Sequence, residues 1–298
     1  MKLFSRRHAA GIIFFFIVIF AGACSSAECT ETGNDCNTRY PILLVHGLGF
    51  RDTTMFLKYW GPVPGALKQR GASVFQSTQD AYSPLRVNAM QLKKSINDII
   101  DTTGCGKVNI IAHSRGGIES RYLISRLGME HKIASLTTIA TPHRGSTTAR
   151  VILDKVGDSK IMAKMVDLYA KMIGDTNPSS VSAGRGLTPE FMRSFNRNTP
   201  DAEGVYYQSY GCVIDSTYPN PVWRAMAALL AKHEGPNDGL VSAESCKWGN
   251  FRGILKCGND AHVSHADIIG LHLLTGVRCF DAPSFYITIV RELKEKGF

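Results

Sequence analysis

The chain has 298 residues, 44% of them hydrophobic and 20% charged, enough apolar mass for one large domain and too much for a disordered one. Its formal net charge is +9. The basic residues are scattered, with no long Lys/Arg block, no zinc-finger spacing and no RNA-binding signature, so nucleic acid is excluded as the expected partner.

The N-terminus reads as an export signal. Lys2, Arg6 and Arg7 form a positive n-region, although two adjacent arginines match a twin-arginine signal only weakly. The apolar run "AAGIIFFFIVIF" at residues 9–20 falls short of the about 20 residues a membrane span needs. Ala21-Gly22-Ala23 has the small-x-small form of a cleavage site, which makes residues 1–23 a signal peptide; an uncleaved anchor is the alternative. Cys24 follows at once. Small residues before a cysteine resemble a bacterial lipoprotein site, with Ala21 where leucine is usual, so Cys24 is a candidate lipid anchor. The expected location is secreted or bound to the cell envelope.

Residues 24–39 are polar and turn-rich and read as a tether or a disulfide-closed start, ahead of a domain over 40–298. Eight cysteines in an exported chain imply disulfides, and the local pairs Cys29–Cys36 and Cys246–Cys257 are expected. Loss or lipidation of Cys24 would leave an odd number. No C-x-x-C pair supports zinc.

"YPILLVHGLGF" opens the domain with a continuous apolar run, as in a strand buried on both faces. A short helix, a turn at Gly71 and a second strand follow in "WGPVPGALKQRGASVFQSTQ". Met90, Leu92, Ile96, Ile99 and Ile100 fall at helical spacing, with Gly104 as a stop. "KVNIIA" is a third strand, "GIESRYLISRLG" a helix and "IASLTTIATP" a fourth strand. This alternation predicts an α/β fold with a parallel sheet covered by helices. Residues 147–200 interrupt the rhythm with a Met-rich helical stretch and then the loop "DTNPSSVSAGRG", the place for a helical lid.

Within "NIIAHSRGGIES", Ser114 lies between strand and helix, flanked by Ala112 two residues before and Gly116 two residues after. A nucleophilic serine needs such a turn: small neighbours allow its strained backbone, and the turn lifts the hydroxyl above the sheet. The amide of Arg115 then stands at a helix N-terminus, where an oxyanion would form. The second oxyanion amide should come from the loop after the first strand, where Leu48 is the candidate and His46 shapes the loop. An acid and then a histidine should follow the serine along the chain. Asp238 in "EGPNDGLVS" is the acid, and "HVSHADIIG" offers His262 and His265 as the base. His143 in "TPHRGS" is expected to line the site.

In this order, "PILLVHGLGF", "IIAHSRGG", "ATPHRGS", "GPNDGLVS" and "HADIIG" resemble the bacterial triacylglycerol lipases of the α/β-hydrolase fold, from about residue 40 to about residue 274. The leading alanine of A-H-S-x-G also looks like the smaller Bacillus-type lipases. The resemblance implies the triad Ser114, Asp238 and His265, preferring His265 because Asp267 follows two residues later. It implies oxyanion donors at Leu48 and Arg115, no cofactor for the chemistry, and a structural Ca²⁺ in some members. For that ion, Asp267 and Asp215 are the matching positions; two aspartates supply only part of the about six to eight oxygens calcium takes.

The substrate is less legible. Met162, Met165, Leu168 and Met172 recur at helical spacing in the lid region, and Trp223, Met226, Leu229 and Leu230 in "PVWRAMAALLAKH"; such stripes serve equally as core or as an apolar cleft. The expected activity is a serine carboxylester hydrolase acting at a lipid–water interface, foremost a lipase. The alternatives are a short-chain esterase, polyester depolymerase or acyltransferase of the same fold, and more remotely a non-catalytic lipid-binding surface protein.

Overall fold

The computed structural model describes residues 33–49, 58–157, 159–258, 262–271 and 279–298; the expected signal peptide, Cys24 and Cys29 lie outside these described residues. In chain order the elements are β1 (Ile42–Val45), α1 (Val63–Gln69), β2 (Val74–Gln76), α2 (Leu85–Thr103), β3 (Val108–His113), α3 (Arg115–Arg126) and β4 (Ile133–Ile139). Helices α4 (Thr147–Gly157), α5 (Lys160–Met172), α6 (Ser180–Arg185) and α7 (Pro189–Asn198) follow. Then come β5 (Tyr206–Cys212), α8 (Pro221–Glu234), β6 (Asn250–Leu255) and α9 (Ala282–Glu295). The strands form one sheet in the order β2-β1-β3-β4-β5-β6, every described pairing parallel.

Strand periodicity explains why β1 had to read as a continuous apolar run. Successive side chains leave opposite faces of the sheet. Ile42 and Leu44 pack with Ile111, Trp60, Leu67, Tyr286 and Ile289 on the α1/α9 side. Leu43 and Val45 pack with Ile110, Ala112, Leu92, Ile96 and Leu123 on the α2/α3 side. A strand with a core on each side has no solvent face on which to place polar residues. The expected Gly104 stop holds: it caps α2 in the left-handed region, φ 69°.

The two strands absent from the sequence reading, β5 and β6, have weak signals for definable reasons. β5 buries Gln208 and Ser209, which a hydrophobic pattern passes over; both are satisfied, Gln208 donating to Thr137 Oγ1 at 2.9 Å and Ser209 to the Trp248 carbonyl at 2.7 Å. β6 is an edge strand and only partly buried. The Met-rich stretch is two helices, because Ser159 accepts a hydrogen bond from the Met162 amide and starts α5 anew. The following loop contains α6.

Two expectations need correction. Residues 33–39 are not a free tether: Gly33 and Cys36 donate backbone bonds to the carbonyls of Gln69 and Arg70, and Asp35 pairs with Arg70 and Arg291. Those cations hold the Asp35 carboxyl below its ordinary value. The Cys246–Cys257 pair is replaced by Cys257–Cys279, while Cys246 is a buried free thiol. Cys246 lies instead against the Cα of Gly211 in β5, where an added Cβ would come within 2.3 Å of its sulfur. Cys36 is likewise a buried free thiol.

Candidate active site

β3 delivers Ser114 onto a sharp turn at the C-terminal edge of the sheet, and α3 departs from the next residue. Ser114 has φ 54° and ψ −130°, a strained conformation for a residue with a side chain. The surroundings enforce it. The Ser114 amide donates to the Ile139 carbonyl at 2.9 Å, and the Thr141 hydroxyl donates to the Ser114 carbonyl at 2.8 Å. Gly116 must lack a side chain, since a Cβ there would sit 2.5 Å from the His46 carbonyl oxygen. This close approach brings the loop carrying Leu48 against the start of α3.

The loop is fixed from several sides. The ring nitrogens of His46 lie 2.9 and 3.1 Å from the Gly47 and Gln79 carbonyls, so His46 shapes the loop as expected. The Gly47 amide donates to the Tyr59 hydroxyl at 2.8 Å, and that hydroxyl lies 2.6 Å from His113 Nδ1. Leu48 packs toward α5 through a cluster of Ala81, Tyr82, Ala170, Val166, Tyr169 and Ile173. Arg115 turns its guanidinium inward to Glu119 at 3.1 Å, leaving its backbone amide as the group at the helix N-terminus.

Asp238 and His265 arrive from loops beyond β5 and β6. His265 Nδ1 lies 2.8 Å from Asp238 Oδ2, and the His265 amide donates to the Asp238 carbonyl at 3.2 Å. Asp238 is 1% exposed. Its Oδ1 accepts from the amides of Leu240 and Val241 at 2.9 and 2.7 Å. Its Oδ2 also accepts from the Cys212 thiol, with sulfur and oxygen 3.4 Å apart. The His265 ring packs on His113, the residue before the serine, with centroids 4.5 Å apart. Burial and the neighbouring His265 push the His113 pKa well down. No hydrogen bond joins Ser114 Oγ to His265 among the described residues; such contacts commonly tighten only when substrate binds. His262 stands elsewhere, 3.5 Å from Asp215 and 3.3 Å from Thr217 Oγ1.

The two residues matched to calcium are each engaged by donors of the protein itself. Asp267 is buried, and its Oδ2 accepts from Tyr218 Oη at 2.7 Å, Ser264 Oγ at 2.7 Å and the Ser264 amide at 3.0 Å. Asp215 is exposed and engaged with Thr217 and His262. Among the described residues no group of three acidic, His or Cys side chains is placed to hold a metal ion. His143 also departs from expectation. It is fully buried, stacked on Trp248 at 5.1 Å and 3.3 Å from Arg121 Nη1, and locks the fold rather than lining the site. Burial and the Arg121 charge push its pKa well down.

Cys212, Tyr59, Tyr218 and Ser264 support the site and went unread in the sequence. Cys212, Tyr59 and Tyr218 act through partners far along the chain, so no local pattern marks them, whereas Ser264 reaches Asp267 three residues on.

A strand–serine–helix turn on a parallel sheet, with an Asp–His pair beside it, defines a hydrolase of the α/β-hydrolase fold. Residues 40–160 match the alpha/beta hydrolase fold family. The chain is 30% identical to Triacylglycerol lipase 2 of Saccharomyces cerevisiae over 263 residues, 81% of this chain and 75% of that protein. It is 28% identical to a triacylglycerol lipase of Vibrio cholerae over 309 residues, 94% of this chain and 95% of that one. The mature form of the Bacillus licheniformis lipase BlEst2 shares the fold, with a TM-score of 0.62 at 19% identity, covering 88% of this chain and 96% of that one. The chain belongs to the triacylglycerol lipase family and is a lipase/carboxylesterase-type hydrolase.

Proposed function

We propose that the protein is an exported lipase that cleaves acylglycerol esters through an acyl-enzyme formed on Ser114. The observation that carries this reading is the 2.8 Å contact between His265 and Asp238 beside the strained serine turn. In the first step Ser114 Oγ attacks the ester carbonyl while His265 Nε2 takes the serine proton. The carbonyl oxygen becomes an oxyanion between the amides of Leu48 and Arg115. Collapse breaks the bond to the glyceride oxygen, and His265 returns the proton to the departing alcohol. Water, activated by the same imidazole, then attacks the acyl carbon and releases the fatty acid and Ser114. Asp238 holds the Nδ1 proton and stabilises the imidazolium.

Helices α4 to α7, within residues 147–200, act as a lid in this reading. The inner face of α5 packs toward Leu48, whereas Ile161, Met165, Leu168 and Met172 form an outward stripe with exposures of 74, 60, 60 and 79%. Four large apolar side chains facing solvent on one helix suit a protein that meets a lipid–water interface. The export reading draws support from the signal-like residues 1–23 and from the Cys257–Cys279 disulfide.

The test is hydrolysis of a p-nitrophenyl ester series and of emulsified triglycerides by the parent and by Ser114→Ala. Ser114-dependent activity on long-chain emulsions is expected. Activity confined to short soluble esters would make the protein an esterase, and activity retained by Ser114→Ala would remove the proposed nucleophile.

A further inference from the structure

The acid of the proposed triad has four donors, and one of them has no assigned role. Asp238 Oδ1 is occupied by two backbone amides. Oδ2 is shared between His265 Nδ1 at 2.8 Å and the thiol of Cys212 at 3.4 Å. Cys212 is the last residue of β5 and is 2% exposed. It belongs to an apolar cluster with Ala140, Tyr210, Val263, Ile268 and Tyr286. The charged and titratable groups around it are Asp238, Asp267, Cys246 and Tyr286. Burial, followed by the Asp238 charge, pushes the thiol pKa well up. It therefore stays protonated and is neither a nucleophile nor a metal ligand. In this surrounding a thiol has one polar function, to donate to the carboxylate. The neighbouring Cys246 does not share it, since its sulfur lies 3.1 Å from the Ala243 carbonyl.

We propose that Cys212 is a positioning residue for the hydrolysis: its thiol restrains Asp238 Oδ2 and lowers the basicity of the oxygen that holds His265. This rests on the triad reading above. A carboxylate oxygen with one donor removed carries more of the negative charge and favours a charged imidazole. The free enzyme needs His265 neutral to accept the serine proton, so losing the thiol should move the acid limb of kcat/KM to higher pH. A loosened Asp238 should also lower kcat without weakening substrate binding.

The experiment compares Cys212→Val with Cys212→Thr, two side chains of one shape of which only the second donates. Both are measured beside the parent and Asp238→Asn on a soluble p-nitrophenyl ester across pH. Cys212→Val is expected to lose about fivefold in kcat with KM within about twofold, and to shift the acid limb up by about half a pH unit. Cys212→Thr should stay near the parent in both. Cys212→Ala and Cys212→Ser repeat the comparison with smaller side chains should either branched residue fail to fold. Equal behaviour of donor and non-donor variants would overturn the role of the thiol, leaving only packing. Full activity in Asp238→Asn would instead overturn the triad reading, which separates the two failures.

Discussion

His265 touches Asp238 twice, through its ring at 2.8 Å and through its backbone amide at 3.2 Å to the Asp238 carbonyl. The imidazole is thus aimed by two bonds to one residue, 27 positions away along the chain. His262, three residues earlier, has neither bond and faces Asp215.

This difference predicts the mutant hierarchy. Ser114→Ala and His265→Ala should each lower kcat by on the order of 10⁶, and Asp238→Asn by on the order of 10⁴, with the fold retained. His262→Ala should stay within about threefold of the parent. The check is steady-state kinetics on a soluble ester; a larger loss for His262→Ala than for His265→Ala would reverse the assignment of the base.

The loop bearing His265 is held by hydrogen bonds to Asp267. EDTA should therefore leave the melting temperature unchanged, and added calcium should not raise it. Tyr218→Phe should cost about 1–3 kcal/mol, because it takes a donor from a buried carboxylate. Thermal melts with and without chelator measure both.

The outward stripe of α5 offers a test of the proposed interfacial role. Met165→Ser combined with Leu168→Ser should change stability by less than about 1 kcal/mol, since both side chains are 60% exposed. Turnover of a short soluble ester should be retained, and turnover of emulsified triglyceride should fall severalfold. An equal fall on both substrates would place the stripe in the fold rather than at an interface.

Two buried histidines predict acid sensitivity. The pKa values of His113 and His143 are depressed below the ordinary 6.5 by burial, so each resists a proton that the unfolded chain accepts. Their contribution to stability is complete above that ordinary value. It is lost as pH falls below it toward the folded-state pKa, at up to about 1.4 kcal/mol per pH unit for each histidine. Denaturant melts of the parent should show this slope below neutrality, and His143→Gln should show a shallower one.

Cys257 and Cys279 close a loop that contains His265, with a sequence separation of 22. Cys257→Ser should cost about 3 kcal/mol of stability by the chain-entropy argument, and a reductant should lower the parent's melting temperature but not the variant's.

Local chemistry made the front half of the molecule legible. The apolar run of β1, the Gly104 stop and the serine turn follow from strand burial, helix termination and backbone strain, all of which act over a few residues. Ser114 and the oxyanion candidates Leu48 and Arg115 could be named for that reason; Asp238 was singled out by its place in the chain between that serine and the histidine pair. The sequence left His262 and His265 as open choices, and a family likeness favoured His265; tertiary structure put His265 on Asp238 and His262 on Asp215. It also moved His143 into the core, paired Cys257 with Cys279, brought Tyr218 to Asp267, and brought Cys212 to Asp238. The physical reason is common to all of these. Each is a contact between segments whose separation in sequence carries no periodicity, so only the packing of sheet and loops determines which donor meets which acceptor.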